Sequence, residues 1–226
     1  VEVLVEVPGE GGDVWIDSFD QPYVMDGIDI VWLIDKSGSM NQHANSVVAG
    51  IEQMMLSLPP SGWRLGITTT AWQNAANTSQ FPLVPGDSVQ DAWDAYNNTG
   101  NYGLEAGFDA LYAYLIESSY NQSSRDFTSN ASGLQDFINW YGNQRPSVFL
   151  ASIVNIHRTE NECTNNIPPT YVGDRYMDAT NAFGGVIVDI CSEDWAPGVQ
   201  AATAQVDPHE EWELTFTPIE ETLIVF

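Results

Sequence analysis

Ile28-Asp29-Ile30-Val31-Trp32-Leu33-Ile34-Asp35-Lys36-Ser37-Gly38-Ser39-Met40 is the stretch on which the reading of this chain turns. Its first seven residues are a nearly continuous apolar run, the pattern of a strand covered on both faces in a parallel sheet. The run stops at Asp35. Beyond it, apolar residues recur at Val47, Val48, Ile51, Met54, Met55 and Leu58, spaced by three and four. That spacing predicts a helix, and Pro59-Pro60 terminates it. Residues 63–70 then read as a second strand. Strand, helix, strand in this rhythm predicts a parallel pair, with the Asp35 loop beyond the carboxyl end of the first strand, where open α/β sheets bind ligands.

The loop has a chemistry of its own. Asp35, Ser37 and Ser39 offer one carboxylate and two hydroxyls at alternate positions, hard oxygens that a turn containing Gly38 can aim at one centre, which suits Mg²⁺ or another oxygen-preferring cation. A hydroxyl-rich shell cancels only part of the ion's charge, so a partner's carboxylate could complete the coordination. An Asp-x-Ser-x-Ser triplet is common in polar loops; the strand before it and the helix after it give it weight. Lys36, the only lysine, is expected to point to solvent.

The pattern continues outward. Residues 89–96 and 104–116 read as helices, 118–132 as a polar surface insertion, 134–141 as a helix and 148–156 as a strand. A helix over 171–182, the turn Gly184-Gly185, a strand over 186–190 and a helix near 199–204 complete an alternating order. The fold class predicted is α/β: a doubly wound, mostly parallel central sheet flanked by helices. Residues 1–7 alternate with period two and end at Pro8-Gly9, and beyond Pro208 the stretches 212–216 and 223–226 read as strands without a helix between them. The expected organisation is a lead-in over 1–26, the α/β domain over 27–207, and a small β appendage over 208–226 to which the N-terminal strand is a candidate addition. The start at Val1 and the apolar end at Phe226 suggest a processed chain or a segment of something longer.

Composition bounds the partners. Six Lys and Arg stand against 31 Asp and Glu, a formal net charge of −25 over 226 residues. Such a surface cannot neutralise phosphates or anionic headgroups, so neither nucleic acid nor an acidic membrane surface is an expected partner. It suits a solubility coat in saline water or the binding of divalent cations. No apolar run approaches the ~20 residues of a membrane span. Cys163 and Cys191, each after a predicted strand, admit either a bridge pinning two loops or two free thiols. Four Asn-x-Ser/Thr triplets, at Asn77, Asn97, Asn121 and Asn130, are compatible with an exterior location, but a chain this rich in Asn and Ser is expected to contain such triplets by chance.

Asp35, Ser37 and Ser39, with the strand before them and Met40 after, resemble the first motif of the von Willebrand factor type A domain and its metal-ion-dependent adhesion site. Residues 62–69 are similar to the family's second strand. Gly103-Leu104-Glu105-Ala106-Gly107 is similar to its helix after the third metal ligand. Gly173-Asp174-Arg175-Tyr176, Gly184-Gly185 and Cys191 resemble the late portion of bacterial secreted members. The similarity runs from about Asp17 to Val206. It implies a further hydroxyl ligand at Thr99, or Asn98 if the loop is shifted by one residue. It also implies an Asp after the fourth-motif strand, where this sequence has His157 or, matched backwards from Cys163, Thr159; Glu160 and Glu162 are the nearby carboxylates.

The implied cofactor is Mg²⁺, Ca²⁺ or Mn²⁺, at a site weakened or degenerate for want of that Asp. Trp72 and Tyr102 are candidate partner contacts, Trp72 equally a candidate cover for the core. Catalytic signatures such as Gly-x-Ser-x-Gly, a phosphate-binding Gly-Lys-Ser/Thr or His-Glu-x-x-His are not in the sequence, so a non-enzymatic adhesion or protein-interaction module with an acidic partner is expected. The alternative is a structural or assembly component of an extracellular particle, such as a virion, with strand edges pairing between neighbouring chains. The location expected under both is extracellular or surface-exposed.

Overall fold

The computed structural model describes residues 2–8, 14–20, 27–100, 105–116, 127, 130–159, 172–205 and 224–225. The chain divides into two compact units, one of residues 1–26 with 207–226 and one of residues 27–206.

The first unit contains an antiparallel sheet in the order β2-β1-β7. β1 (Glu2–Pro8) pairs with β2 (Val14–Asp20) along its whole length, from Glu2 opposite Asp20 to Pro8 opposite Val14. β7 (Ile224–Val225) covers only Val5 and Glu6 on the other edge of β1. β2 went unread in the sequence, because Trp15 and Ile16 stand side by side and Asp17 and Ser18 interrupt any alternation. The predicted strand over 212–216 lies outside the described residues.

The second unit is mixed α/β. β3 (Ile28–Ile34) and β4 (Trp63–Thr69) run parallel in full register, from Ile28 opposite Trp63 to Ile34 opposite Thr69. β5 (Ser152–Val154) and β6 (Ile187–Asp189) form a second parallel pair. Where the sequence predicts one central sheet, the parallel strands among the described residues lie in these two two-stranded sheets. β5 is also shorter than its apolar run. Residues 148–150 stay outside the ladder, with the Leu150 carbonyl so close to Gly185 that any Cβ there would collide with it.

The apolar run of β3 is explained by period-two packing on both faces. Ile28, Ile30, Trp32 and Ile34 join a core built with α1 (Ala44–Ser57), α3 (Val89–Asn98) and α7 (Ala196–Ala204). Val31 and Leu33 join the opposite core, built with α4 (Gly107–Ile116), α5 (Gly133–Gly142) and α6 (Asp174–Ala182). α1 ends where Pro59 forces Leu58 into an extended conformation. α3 begins at a capping box in which the Ser88 and Asp91 side chains bond each other's backbone N–H.

α4 is buried from Gly107 through Tyr114, because α2 (Trp72–Ala75), the β3–β4 pair and the ring cluster of α5 surround it. At Gly66 in β4 the Tyr114 hydroxyl occupies the place a Cβ would take; it accepts from Phe81 N at 2.7 Å and donates to Ser79 O at 3.3 Å. The polar stretch 118–132 is not all surface, since Phe127 is buried against Tyr112, Phe137 and Trp140, and its N–H donates to the buried Asp109 carboxylate at 3.0 Å.

Candidate functional site

Three segments meet at the carboxyl ends of β3 and β4. The Asp35 loop is shaped by its own bonds: Ser37 N donates to Asp35 Oδ1 at 2.7 Å, and Met40 N to Ser37 O at 3.0 Å as the chain enters a short 3-10 turn, Gly38–His43. The Ser37 and Ser39 hydroxyls lie 2.9 Å apart. Next to it, Thr70 N extends the ladder to Ile34 O at 3.1 Å, Ala106 N bonds Thr70 O at 2.9 Å, and Ala71 bridges Glu105 in antiparallel fashion.

That bridge delivers Glu105, which the sequence reading placed inside the helix over 104–116 and which precedes the helix that forms, Gly107–Ile116. The Glu105 carboxylate lies close enough to the Ser37 side chain and to Asp35 to interact with both. Partial burial first, and the Asp35 carboxylate second, push the Glu105 pKa above the usual carboxylate range; the Ser37 side chain opposes them. The signal available in the sequence was a carboxylate between Gly103 and Gly107, in the segment feeding a helix toward the same strand ends. The hydroxyl of Thr70, the residue after β4, is buried and has no hydrogen-bond partner among the described residues. Tyr176 of α6 completes the surroundings, its hydroxyl accepting from Gly107 N at 3.2 Å. Burial raises the phenol's pKa, and the Asp35, Asp109 and Glu105 carboxylates add to the rise.

Thr99 and Lys36 behave differently from expectation. Lys36 does not reach into solvent: its ammonium donates to Tyr96 O at 2.9 Å and Thr99 O at 3.0 Å and lies 4.6 Å from the Tyr96 ring centroid. Burial lowers its pKa. The tether brings Thr99 to the motif through its backbone, while its buried hydroxyl donates to Tyr96 O at 2.8 Å. Asn98 is exposed. Glu105 is the further residue that lies close to Asp35 and Ser37.

His157 sits after β5, where its N–H donates to Asn155 Oδ1 at 2.9 Å and its Nε2 lies 2.7 Å from Asp189 Oδ2. It is grouped with Asp189 and Cys191, and among the described residues no hydrogen bond or ion pair joins it to Asp35, Ser37 or Ser39. Thr159 is exposed, and Glu160 and Glu162 lie outside the described residues. Cys191 is disulfide-bonded; Cys163 lies outside the described residues. Trp72 is half-buried and packs beside Ala75, Tyr114 and Leu115, so much of its ring covers the core; Tyr102 lies outside the described residues.

The donor set at the β3 end fits a hard divalent cation. Two carboxylates of like charge lie near each other beside two hydroxyls, and among the described residues no Arg or Lys pairs with either carboxylate. Scanned against family models, and searched against curated proteins, the chain matches none. No described helix is long and apolar enough to cross a membrane.

Proposed function

We propose that this chain is a non-enzymatic protein-interaction module of the von Willebrand factor A type, which engages an acidic group of a partner through a divalent cation held by Asp35, Ser37, Ser39 and Glu105. The observation that carries the reading is the Glu105 carboxylate at Ser37 and Asp35. It raises the donor set to two negative charges, the number an Asp after the fourth-motif strand would otherwise have supplied, and it keeps the ligands all oxygen, as Mg²⁺, Ca²⁺ and Mn²⁺ prefer. When bound, the ion supplies an electropositive position that an incoming carboxylate can occupy. Ser37 anchors Asp35 through its backbone. Lys36 ties the loop to the end of α3.

The doubly wound sheet belongs to the same proposal. Its support is that Ile153 of β5 and Val188 of β6 pack into one core with Ile30 and Leu65 of the β3–β4 pair. The location proposed is extracellular or surface-exposed, as such adhesion requires.

Calorimetric titration of Mg²⁺, Ca²⁺ and Mn²⁺ into the metal-stripped full chain tests the reading. Saturable uptake of one ion, abolished by Asp35→Ala and weakened by Glu105→Gln, is the expected result, together with chelator-sensitive retention on a surface presenting Asp or Glu peptides. Uptake indifferent to both substitutions would overturn it in favour of a structural or assembly component.

A further inference from the structure

We infer that His157, Asp189 and Cys191 form a second, reduction-gated site for a borderline transition metal such as Zn²⁺. β5 and β6 are parallel, with Val154 opposite Asp189, so the chain leaving β5 runs beside the chain leaving β6. Two side-chain to backbone bonds fix the donors. Asn155 Oδ1 holds the His157 N–H at 2.9 Å, and Asp189 Oδ1 holds the Cys191 N–H at 2.9 Å, which leaves Asp189 Oδ2 to face His157 Nε2 at 2.7 Å. One donor atom from each of the three half-buried residues lies within 4.8 Å of the others.

A tetrahedral ion with bonds of roughly 2.0–2.3 Å holds its ligands about 3.3–3.8 Å apart, so these donors need to move by about an ångström or less. The 2.7 Å contact between His157 and Asp189 is a hydrogen bond, and its proton must leave as the ion enters. A nitrogen, an oxygen and a sulfur together select a borderline metal over Mg²⁺ or Ca²⁺. This distinguishes the site from the oxygen-only set around Asp35, and the inference does not rest on that one.

The gate is the disulfide. Cys191 is disulfide-bonded, the only other cysteine in the chain is Cys163, and a disulfide sulfur is not the thiolate that ligates a metal. A dithiol reductant opens it: one thiolate attacks the sulfur–sulfur bond, the second displaces the mixed disulfide, and two electrons and two protons pass to the two protein sulfurs while the reductant closes to its own disulfide. The Cys191 thiol then gives its proton to solvent as the sulfur enters the metal's shell.

Cobalt(II), as a spectroscopic stand-in for Zn²⁺, tests this on the full chain, with a phosphine as reductant and circular dichroism to follow the fold. Reduced protein should bind one Co²⁺ with a thiolate-to-metal charge-transfer band that Zn²⁺ displaces, and the disulfide form should show none. Cys163→Ser should show the band without reductant, Cys191→Ser should never show it, and His157→Ala should weaken binding by at least about tenfold. Asp35→Ala should leave the band unchanged while abolishing Mg²⁺ uptake, so the two sites fail separately. A folded, reduced chain and a folded Cys163→Ser variant without the band would overturn the inference. So would a band retained in Cys191→Ser, or loss of the fold in both the reduced and Cys163→Ser forms.

Discussion

The two ends of the β3–β4 pair treat their carboxylates in opposite ways. Near its start, Asp29 is gripped by Arg64 through Nε at 2.5 Å and Nη2 at 2.9 Å, with Arg145 at 3.4 Å, and the Arg64 guanidinium lies over the Phe81 ring at 4.3 Å. The Arg64 bond, ahead of the other effects, holds the Asp29 pKa below its ordinary value. At its finish, Glu105 lies near enough to Asp35 to feel its charge, and the nearby ammonium of Lys36 is spent on the carbonyls of Tyr96 and Thr99. In a chain with six cationic side chains, the placement of two of them on Asp29 is informative. One end is neutralised from within the fold; the other leaves its negative charge to be met from solution.

The contrast breaks most visibly at Asp35. Asp35→Ala should remove saturable Mg²⁺ binding in calorimetry, whereas Asp29→Ala should leave it intact; equal losses would abolish the distinction between the ends. Glu105→Gln comes next. It should weaken metal binding by at least about tenfold, the low end of what a unit charge at contact distance contributes near a protein surface. Without metal the sign reverses. Because the pKa of Glu105 is raised on folding, its charge opposes the fold above the ordinary carboxylate pKa, and that opposition is absent below it. Glu105→Gln should therefore unfold at a higher temperature than the wild type at pH 7, and the gain should vanish in acid, as melting curves in chelator would show.

Lys36→Met asks whether that cation is structural. Loss of two charge-assisted bonds to carbonyls should cost about 1–3 kcal/mol in denaturant unfolding, with metal binding retained. The smallest effect belongs to the neutralised end. Asp29→Asn should cost about 0.2–1 kcal/mol, since the pair is partly exposed. Its contribution is present above the unfolded-state pKa and lost as pH falls through the lowered folded value, and added salt should shrink it. A loss insensitive to salt and pH would show that Asp29 acts through packing.

Legibility followed locality. β3, α1, β4 and α3 stand close to where spacing and prolines put them, because an apolar period and a helix stop are properties of neighbouring residues. Asp35, Ser37 and Ser39 were legible for the same reason. Thr99 and His157 were assigned from the resemblance; in the fold the Thr99 hydroxyl donates to the carbonyl of Tyr96, and His157 is set against Asp189. Phe127, an aromatic residue in a polar stretch, found its place only once α4 and α5 supplied Tyr112, Phe137 and Trp140.

By itself, then, the sequence determined an α/β chain with a buried strand, an oxygen-bearing loop at that strand's carboxyl end and a strongly acidic composition. Only the tertiary structure decided which carboxylate joins that loop and which cations stay away from it. The Glu105 contact depends on the backbone pairing of Ala71 with Glu105, and the neutral end on Arg145 reaching Asp29 from far along the chain. Such contacts join residues that no local period relates, and they form because buried backbone groups and charges must find partners wherever the packed core brings them within reach.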